Sequence, residues 1–296
     1  MTKPPRILLI GKIGQVGWEL RRALAPLGQL ACVDYPELDL ADALALRRWI
    51  RDAAPEILVN AAAYTAVDKA ETEPERCLAI NGLAPGILAE EAQRLGALLV
   101  HFSTDYVFDG TKTTPYLEDD PPNPLGTYGR AKLAGDQAIQ KVDGNHLIFR
   151  LCWVYGARGQ NFLRTIMRLA RERDQLRVVR DQLGAPTWSR MIAEATALAL
   201  KQVLLSGNAS QFKGLYHLSA AGQTSWHGFA QAILALMPDA DKKCQRMEAI
   251  ATSEYPTPAR RPAYSVLSCD KLSRTFGLQL PDWLESLRLV MEEAVH

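Results

Sequence analysis

Short apolar runs alternate with longer amphipathic segments through the first half of the sequence, and this alternation allows few folds. Runs such as RILLI, LACVD and ALLVHFSTD are continuously apolar rather than alternating, as in parallel strands that are covered on both faces. The segments between them, such as GWELRRALAPL and ADALALRRWIRDAA, place apolar residues at helical spacing. The pattern predicts an α/β protein with a Rossmann-type, doubly wound parallel sheet.

The regular alternation loosens after HLIFRLCWVYG, which reads as a single strand. Beyond it the pattern predicts a basic helix in FLRTIMRLARERD, a loop in VVRDQLGAPTWSR, a helix near 190–205, a strand in GLYHLS and a last helix in DWLESLRLVMEEAV. We therefore divide the chain into a first domain, residues 1–157, and a smaller C-terminal α/β domain, residues 158–296. Later segments are allowed to return to the first sheet.

Composition excludes several classes of protein. The chain has 296 residues and a net charge of +1, with no basic block, so we expect no nucleic-acid or membrane partner. The five cysteines form no C-x-x-C pair and the five histidines no H-E-x-x-H motif, so no metal site is expected. MTKPPR leads directly into a strand-like run, which does not resemble a signal peptide. We expect a cytoplasmic enzyme.

Three glycines follow the first predicted strand. Gly11, Gly14 and Gly17 lie between that strand and a helix, where a backbone without side chains can approach a pyrophosphate at the helix N-terminus. An ordinary strand-to-helix turn also uses glycine. However, Asp34 ends the second strand, where a carboxylate can bind a ribose hydroxyl. We predict a dinucleotide site that uses NADH at least as well as NADPH, because Asp34 would repel a ribose 2′-phosphate.

Small and polar residues follow the third and fourth predicted strands. Ala61–Ala63 and the pair Thr104 and Asp105 lie at strand ends, where open α/β sheets hold their ligands. The alanines are equally explained by close strand–helix packing, and the polar pair by capping of the next element.

Tyr128 and Lys132 are four residues apart in TYGRAK, so a helix would place them on one face. Together with Thr104, they resemble the extended short-chain dehydrogenase/reductase superfamily. The resemblance implies that Tyr128 donates a proton, that Lys132 lowers its pKa and holds the nicotinamide ribose, and that Thr104 polarises the substrate oxygen. A cation about 5 Å from a phenolate is worth roughly 3 kcal/mol, which agrees with a lowered pKa.

Nine blocks spread over nearly the whole chain narrow the resemblance to the dTDP-4-dehydrorhamnose reductase family. That family uses NADH or NADPH to reduce dTDP-6-deoxy-L-lyxo-4-hexulose to dTDP-L-rhamnose, an activated sugar for cell-surface polysaccharides. The blocks are GKIGQVGWEL, VNAAAYTAVDKAE, STDYVFDG, YGRAKLAG, FRLCWVYG, DQLGAPT, LYHLS, TSWHGFA and YPTPARRPAYSVL.

The resemblance implies two sets of ligand-binding residues. The expected dinucleotide contacts are Gly11, Gly14, Gln15, Val16, Asp34, Asp39, Leu40, Ala63, Tyr64, Thr65, Phe102, Tyr128 and Lys132. The expected contacts of the deoxyhexose are Thr104, Asp105 and Trp153. Arg261 has the fork of donors that suits a diphosphate. Asn161 and Gln182 are expected to contact the nucleotide, with helix caps or turns as the alternative.

Three other functions remain open. A nucleotide-sugar epimerase or 4,6-dehydratase would share the fold, but Thr104 is followed by Asp105 and Tyr106 rather than by the Asp-Glu pair of dehydratases. A non-catalytic regulatory subunit, like the beta subunit of methionine adenosyltransferase, would also bind a dinucleotide. The presence of Thr104, Tyr128, Lys132 and PTPARRP favours the reductase.

The resemblance also bears on assembly. Some relatives dimerise through a magnesium ion held by glutamates, and Glu19 matches one of these. Arg190 lies where a second glutamate is expected, and a guanidinium offers no oxygen to the ion. We expect a monomer without a metal bridge.

Overall fold

The computed structural model describes residues 3–294. Its strands are β1 Arg6–Ile10, β2 Gln29–Val33, β3 Ile57–Asn60, β4 Leu98–Thr104, β5 His146–Leu151, β6 Val154–Tyr155, β7 Gln175–Val179, β8 Leu183–Gly184, β9 Thr187–Trp188, β10 Gly214–His217, β11 Thr224–Ser225 and β12 Arg246–Ile250. Its α-helices are α1 Gln15–Ala23, α2 Ala43–Ala53, α3 Val67–Ala70, α4 Pro74–Leu78, α5 Ala84–Leu95, α6 Thr127–Val142, α7 Phe162–Glu172, α8 Ser189–Ser206, α9 Trp226–Leu236, α10 Asp270–Phe276 and α11 Trp283–Ala294.

The central sheet has six strands in the order β2-β1-β3-β4-β5-β10, and every neighbouring pair is parallel. The predicted Rossmann-type doubly wound sheet is therefore confirmed. From β1 the chain moves to β2 on one side and to β3 on the other. The loops after β1 and β3 consequently diverge and leave a crevice at this switch point, where ligands of such sheets bind.

Both faces of the sheet are covered, which explains the continuous apolar runs. Leu9 points toward α1 and α8 and packs with Leu20 and Ile192. The preceding Leu8 points to the opposite face and packs with residues of α2, α5 and α6. Successive residues of a strand point to opposite faces of the sheet. When both faces are covered by helices, consecutive strand residues are therefore apolar.

Three elements beyond residue 157 lie in the layers of this sheet. Helix α8 covers one face beside α1, and β10 pairs with β5 from Gly214↔Leu147 to His217↔Arg150. Helix α10 joins the same core through Leu272 and Phe276. Helices α7, α9 and α11 pack around a separate core. The division at residue 157 stays a prediction; in space the sheet layer also includes α8, β10 and α10.

Two local predictions are wrong. The segment VVRDQLGAPTWSR, expected to be a loop, contains the end of β7 together with β8 and β9. Strand β7 pairs with β12, and its alternating residues Leu176 and Val178 are buried. The single strand expected in HLIFRLCWVYG ends at Leu151, because Trp153 adopts a left-handed conformation with φ 42°. The following β6 pairs with β9 instead of continuing the sheet.

A buried ion pair fixes α6 against the sheet. Arg150 Nε on β5 donates to Asp136 Oδ2 on α6 at 3.2 Å, and Ser103 Oγ donates to the same oxygen at 2.9 Å. The Asp136 and Arg150 side chains are 0% and 4% exposed, so removal of either would leave an uncompensated buried charge. This contact sets the position of the helix that carries Tyr128 and Lys132.

The close approach of α1 to the loop after β1 gives a first prediction. A Cβ at Gly17 would overlap the Gly11 carbonyl oxygen, whereas a Cβ at Gly14 would find its nearest neighbour at 3.7 Å. Gly17→Ala should therefore lower the free energy of unfolding by about 3 kcal/mol, a large over-packing cost, and Gly14→Ala should leave it nearly unchanged. Urea unfolding of both variants measures this; equal losses would contradict the packing argument.

Candidate active site

A cleft of about 640 Å³ lies at the carboxyl ends of β1, β3 and β4. Fourteen of the nineteen predicted site residues line it. They are Gly11, Gly14, Gln15, Val16, Asp34, Ala63, Thr65, Phe102, Thr104, Asp105, Tyr128, Lys132, Trp153 and Asn161. Residues far apart in sequence thus meet at one edge of the sheet.

The glycine loop forms one wall of the cleft. Gly11 has φ 91°, and a Cβ there would lie 2.5 Å from the Ala62 nitrogen, so only glycine permits this approach. Asp34 braces the loop, since its Oδ2 accepts from the Ile13 N–H at 2.8 Å. The Asp34 Oδ1 accepts from the Tyr35 N–H, also at 2.8 Å. Asp34 is thus held beside the cleft as a hydrogen-bond acceptor.

Thr104, Tyr128 and Lys132 come together in the cleft. The Thr104 hydroxyl donates to Asp105 Oδ1 at 3.0 Å and accepts from the Tyr106 N–H at 3.2 Å. The Tyr128 ring meets the Tyr106 ring edge-on, with centroids 5.7 Å apart. Lys132 Nζ donates to the Phe102 carbonyl at 2.6 Å and lies 3.1 Å from His101 Nε2.

The protonation of this group differs from the expectation. Burial raises the pKa of Tyr128 above its ordinary value. Burial also lowers the pKa of Lys132 to about 8. The expected lowering of the Tyr128 pKa is therefore wrong, because loss of hydration on burial dominates. A phenol that keeps its proton is nevertheless suited to donate it.

Asp105 is the second acid of the cleft. Asp105 is 2% exposed, and burial raises its pKa from 3.8 to about 6, an effect that the hydrogen bond from Thr104 offsets only in part. No group within residues 3–294 makes a well-formed hydrogen bond to its Oδ2. The Asp105 carboxyl group therefore has one oxygen, Oδ2, that is both buried and unpaired.

Trp153 is clamped in its strained backbone conformation. Its indole stacks on that of Trp226, with ring centroids 3.5 Å apart and planes at 6°. On another side, any Cβ at Gly184 would overlap the Trp153 indole. Such strain persists only where the surroundings impose it, and it is frequent at ligand sites. The indole is thus a fixed wall of the cleft.

Asn161 lies in the cleft lining, whereas Gln182 does not. Asn161 lines the cleft, caps α7 by accepting from the Arg164 N–H at 3.1 Å, and donates to Gln15 Oε1 at 2.8 Å. It is thus a cap and a cleft residue at once. Gln182 lies behind the cleft, where its Oε1 accepts from Trp226 Nε1 at 3.2 Å.

Four other predicted residues do not line the cleft, because each is engaged elsewhere. Asp39 caps the turn before α2 by accepting from the Ala41 N–H, and Leu40 is buried in the core. The Tyr64 hydroxyl donates to Glu73 at 2.8 Å. Arg261 Nη2 donates to Asp68 Oδ2 at 2.8 Å.

Several cleft residues were missed by the sequence reasoning. They include Ile13, Ser103, Tyr106, Gln160 and Trp226. Tyr106 directly follows the predicted Asp105, so its place in the motif STDYVF could have indicated a cleft residue. No local pattern indicates that Trp226 lines the cleft, because its stacking on Trp153 joins segments that are distant in the chain.

The fold and the cleft define a dinucleotide-dependent oxidoreductase of the Rossmann type. Comparison with known families is specific: the RmlD substrate binding domain family matches residues 5–296. The chain therefore belongs to that family.

Three known proteins illustrate the similarity. The dTDP-4-dehydrorhamnose reductase of Burkholderia thailandensis is 50% identical over 97% of this chain and 98% of its own. The crystal structure of a dTDP-4-dehydrorhamnose reductase from Clostridium acetobutylicum has a TM-score of 0.89 and 34% identity, covering 97% and 99% of the two chains. That of Bacillus anthracis, in complex with NADP, also has a TM-score of 0.89, with 33% identity over 99% and 100%.

Within residues 3–294, no helix combines the length and the apolar character that a membrane span requires. In the same range, no three His, Cys, Asp or Glu side chains are grouped so that they could hold a metal ion.

The raised pKa of Asp105 predicts a pH-dependent cost to stability. The folded protein keeps this proton to about pH 6, whereas the unfolded chain releases it near 3.8. The stability contribution of Asp105 therefore falls as pH rises through that window, by up to about 3 kcal/mol. Asp105→Asn has no proton to lose, so its stability relative to the wild type should increase from pH 4 to pH 7. Urea unfolding across that range tests this, and a constant difference would contradict it.

Proposed function

We infer that this chain is an NAD(P)H-dependent reductase that converts dTDP-4-dehydro-L-rhamnose to dTDP-L-rhamnose, in the biosynthesis of activated rhamnose for cell-surface polysaccharides. One observation carries this inference: Thr104, Tyr128 and Lys132 meet in the cleft that the glycine loop borders. The relatives named as dTDP-4-dehydrorhamnose reductases match over nearly their full length, which supports the same substrate.

The residues of the cleft fit a nicotinamide dinucleotide. Gly11 leaves open the space that a Cβ would fill, and α1 begins at Gln15 with its N-terminus toward the loop, an arrangement that favours a pyrophosphate. Asp34 would hold the adenine ribose and Lys132 the nicotinamide ribose. When bound, the reduced cofactor supplies the hydride.

The side chains of the cleft would donate the proton and stabilise the charge that develops in the reaction. Tyr128 keeps its proton until the sugar O4 gains negative charge, and then donates it. Lys132 stabilises the phenolate that remains. The single hydroxyl hydrogen of Thr104 now points to Asp105, so Thr104 must turn toward O4 to add a second hydrogen bond at the developing charge.

Trp153 and Asp105 are proposed to bind the deoxyhexose. A fixed indole suits the apolar, methyl-bearing face of a 6-deoxy sugar, and the Asp105 carboxylate would accept from a sugar hydroxyl. Asn161 lies at the same cleft for the nucleotide part. A role of Arg261 at the diphosphate would require its guanidinium to exchange the Asp68 carboxylate, 2.8 Å away, for phosphate oxygens.

The alternative of a regulatory subunit predicts cofactor binding without turnover. An oxidation assay with NADH and the dTDP-keto sugar separates the two functions. The half-buried Tyr128, which lines the cleft with Thr104, favours the reductase, because a subunit that only binds dinucleotide has no use for a proton donor there.

Tyr128→Phe should lower kcat by about 100-fold or more, the usual effect of removing a positioned acid, and should leave NADH binding nearly intact. Tyr106→Phe is the matched control, because it removes the same atom from the adjacent ring and should retain most of kcat. Steady-state turnover and a fluorescence titration with NADH give the two quantities. Wild-type turnover in Tyr128→Phe would refute the assigned role.

The cofactor preference is the next prediction. NADH should be used at least as well as NADPH, because Asp34 would meet a 2′-phosphate and the nearest cation of the loop, Lys12, is paired with Glu37 at 2.8 Å. Glu37→Gln frees Lys12 and should raise kcat/KM for NADPH relative to NADH. A preference of the wild type for NADPH by about tenfold, or 1.4 kcal/mol, would overturn the prediction.

A monomer without a metal bridge is proposed for the assembly. Arg190 bonds to the carboxylates of Glu19, at 3.4 Å, and Glu293, so a guanidinium already occupies the position between these acids. Light scattering with and without chelator is the test, and a dimer that EDTA dissociates would contradict the proposal. Action in the cytoplasm is proposed as well, supported by five free cysteines.

A further inference from the structure

The cleft wall formed by Trp153 is held from behind by a hydrogen bond that has no role in the proposed mechanism. Trp226 stacks on the Trp153 indole and donates its own Nε1–H to Gln182 Oε1 at 3.2 Å. Both indoles are half-buried and line the cleft. Gln182 is 5% exposed and lies outside the cleft lining, so it contacts the indole pair from the protein interior.

The Trp226 indole determines which end of the Gln182 amide faces it. An indole N–H only donates hydrogen bonds, so the amide atom that faces it is Oε1. The Gln182 Nε2 is then directed to Thr252 Oγ1, to which it donates at 3.1 Å. The Thr252 hydroxyl donates to Asp181 Oδ1 at 2.7 Å, so its oxygen accepts from Gln182. Each donor in this row therefore meets an acceptor.

The far end of the row is attached to backbone. Both carboxylate oxygens of Asp181 accept from the Thr252 N–H, at 2.9 and 3.0 Å. Asp181 follows β7 and Thr252 follows β12, and these two strands pair with each other. On the other side of Gln182, β8 begins at Leu183 and pairs with β11. Gln182 thus projects from a segment that paired strands hold on both sides.

The Trp153 indole depends on its neighbours for its position. Its backbone has φ 42°, a conformation that persists only where the surroundings impose it. One part of the ring meets Gly184, where a Cβ would overlap it, and one face is covered by Trp226. Stacked rings tolerate a range of offsets, so stacking alone would let the Trp226 ring slide. The hydrogen bond to Gln182 opposes this movement.

We propose that Gln182 is a positioning residue of the sugar site: it holds the Trp226 indole and thereby fixes the Trp153 indole against which the deoxyhexose packs. The inference deepens the proposed function and rests on it, because only there is Trp153 a sugar contact. It differs from the expectation that Gln182 contacts the nucleotide itself. The two roles predict different effects on ligands with and without the sugar.

Binding of dTDP-L-rhamnose and of dTDP separates these roles, because only the first contains the sugar. Gln182→Met keeps the side-chain length and removes the amide. Its Kd for dTDP-L-rhamnose should rise about fivefold, the scale of one hydrogen bond, while its Kd values for dTDP and NADH stay close to those of the wild type. Calorimetric titration measures all three. The KM of the keto sugar should rise by a similar factor with kcat nearly retained, as for a contact that substrate and transition state share.

Two further variants control for a general loss of structure and for the route of the effect. Gln202 on α8 is a matched glutamine outside the cleft lining, whose Nε2 donates to the Phe276 carbonyl at 2.7 Å. Gln202→Met should leave every Kd unchanged. Trp226→Phe keeps a ring for stacking and removes the N–H. Adding Gln182→Met to Trp226→Phe should cause no further loss of dTDP-L-rhamnose affinity, because the two residues act through one hydrogen bond.

Three binding outcomes overturn the proposal. Equal weakening of dTDP and dTDP-L-rhamnose in Gln182→Met means that the glutamine contacts the nucleotide. Unchanged binding of both means that it has no role at the site. Losses that add up in the double variant mean that Gln182 does not act through Trp226. None of these results bears on the reductase function, which fails only if the wild type does not oxidise NADH with the keto sugar.

A last measurement needs neither a sugar nucleotide nor turnover. The six tryptophans give indole N–H signals in ¹⁵N-resolved NMR spectra, and Trp226→Phe identifies one of them by its loss. In the wild type this N–H should exchange with solvent slowly, and in Gln182→Met about fivefold faster, because its acceptor has been removed. Equal exchange rates in the two proteins would show that the hydrogen bond is not formed in solution and would refute the proposal.

Discussion

The cleft depends on the close approach of three backbone segments at the switch point of the sheet. Helix α1 touches the turn after β1 at Gly17, and that turn touches the loop after β3 where Gly11 meets Ala62. None of these contacts leaves room for a side chain, so the N-terminus of α1 and both loops have fixed relative positions. The Asp34 carboxylate, bound to the Ile13 N–H, completes the same arrangement from β2.

Loss of hydration governs the acid–base chemistry of the cleft. It raises the pKa values of Tyr128 and Asp105 and lowers that of Lys132, so all three move toward their neutral forms. The ion pair of Asp136 with Arg150 lies deep beneath them and serves the placement of α6. Of the three groups, Tyr128 therefore keeps its proton until ligand charge develops, which is a useful starting state for a proton donor.

Most of the fold and the central part of the site could be predicted from the sequence, because both depend on local residue patterns. Continuous apolar runs predict the parallel sheet, the glycine spacing predicts the loop, and the Tyr128–Lys132 spacing predicts a shared helix face. Features that depend on contacts between distant segments were not predictable from such patterns. The strand break at Trp153 follows from stacking on Trp226, and the direction of the Tyr128 pKa follows from burial in the folded chain. For the five predicted residues that do not line the cleft, contact with a ligand remains a prediction.

The stacked indoles of Trp153 and Trp226 also have an optical consequence. Two parallel aromatic rings in van der Waals contact share their electronic excitation, so their near-ultraviolet circular dichroism depends on the angle and distance between the rings. One of these rings is a wall of the proposed sugar site. The protein thus has a built-in chromophore pair whose signal reports on events at that wall without any added label.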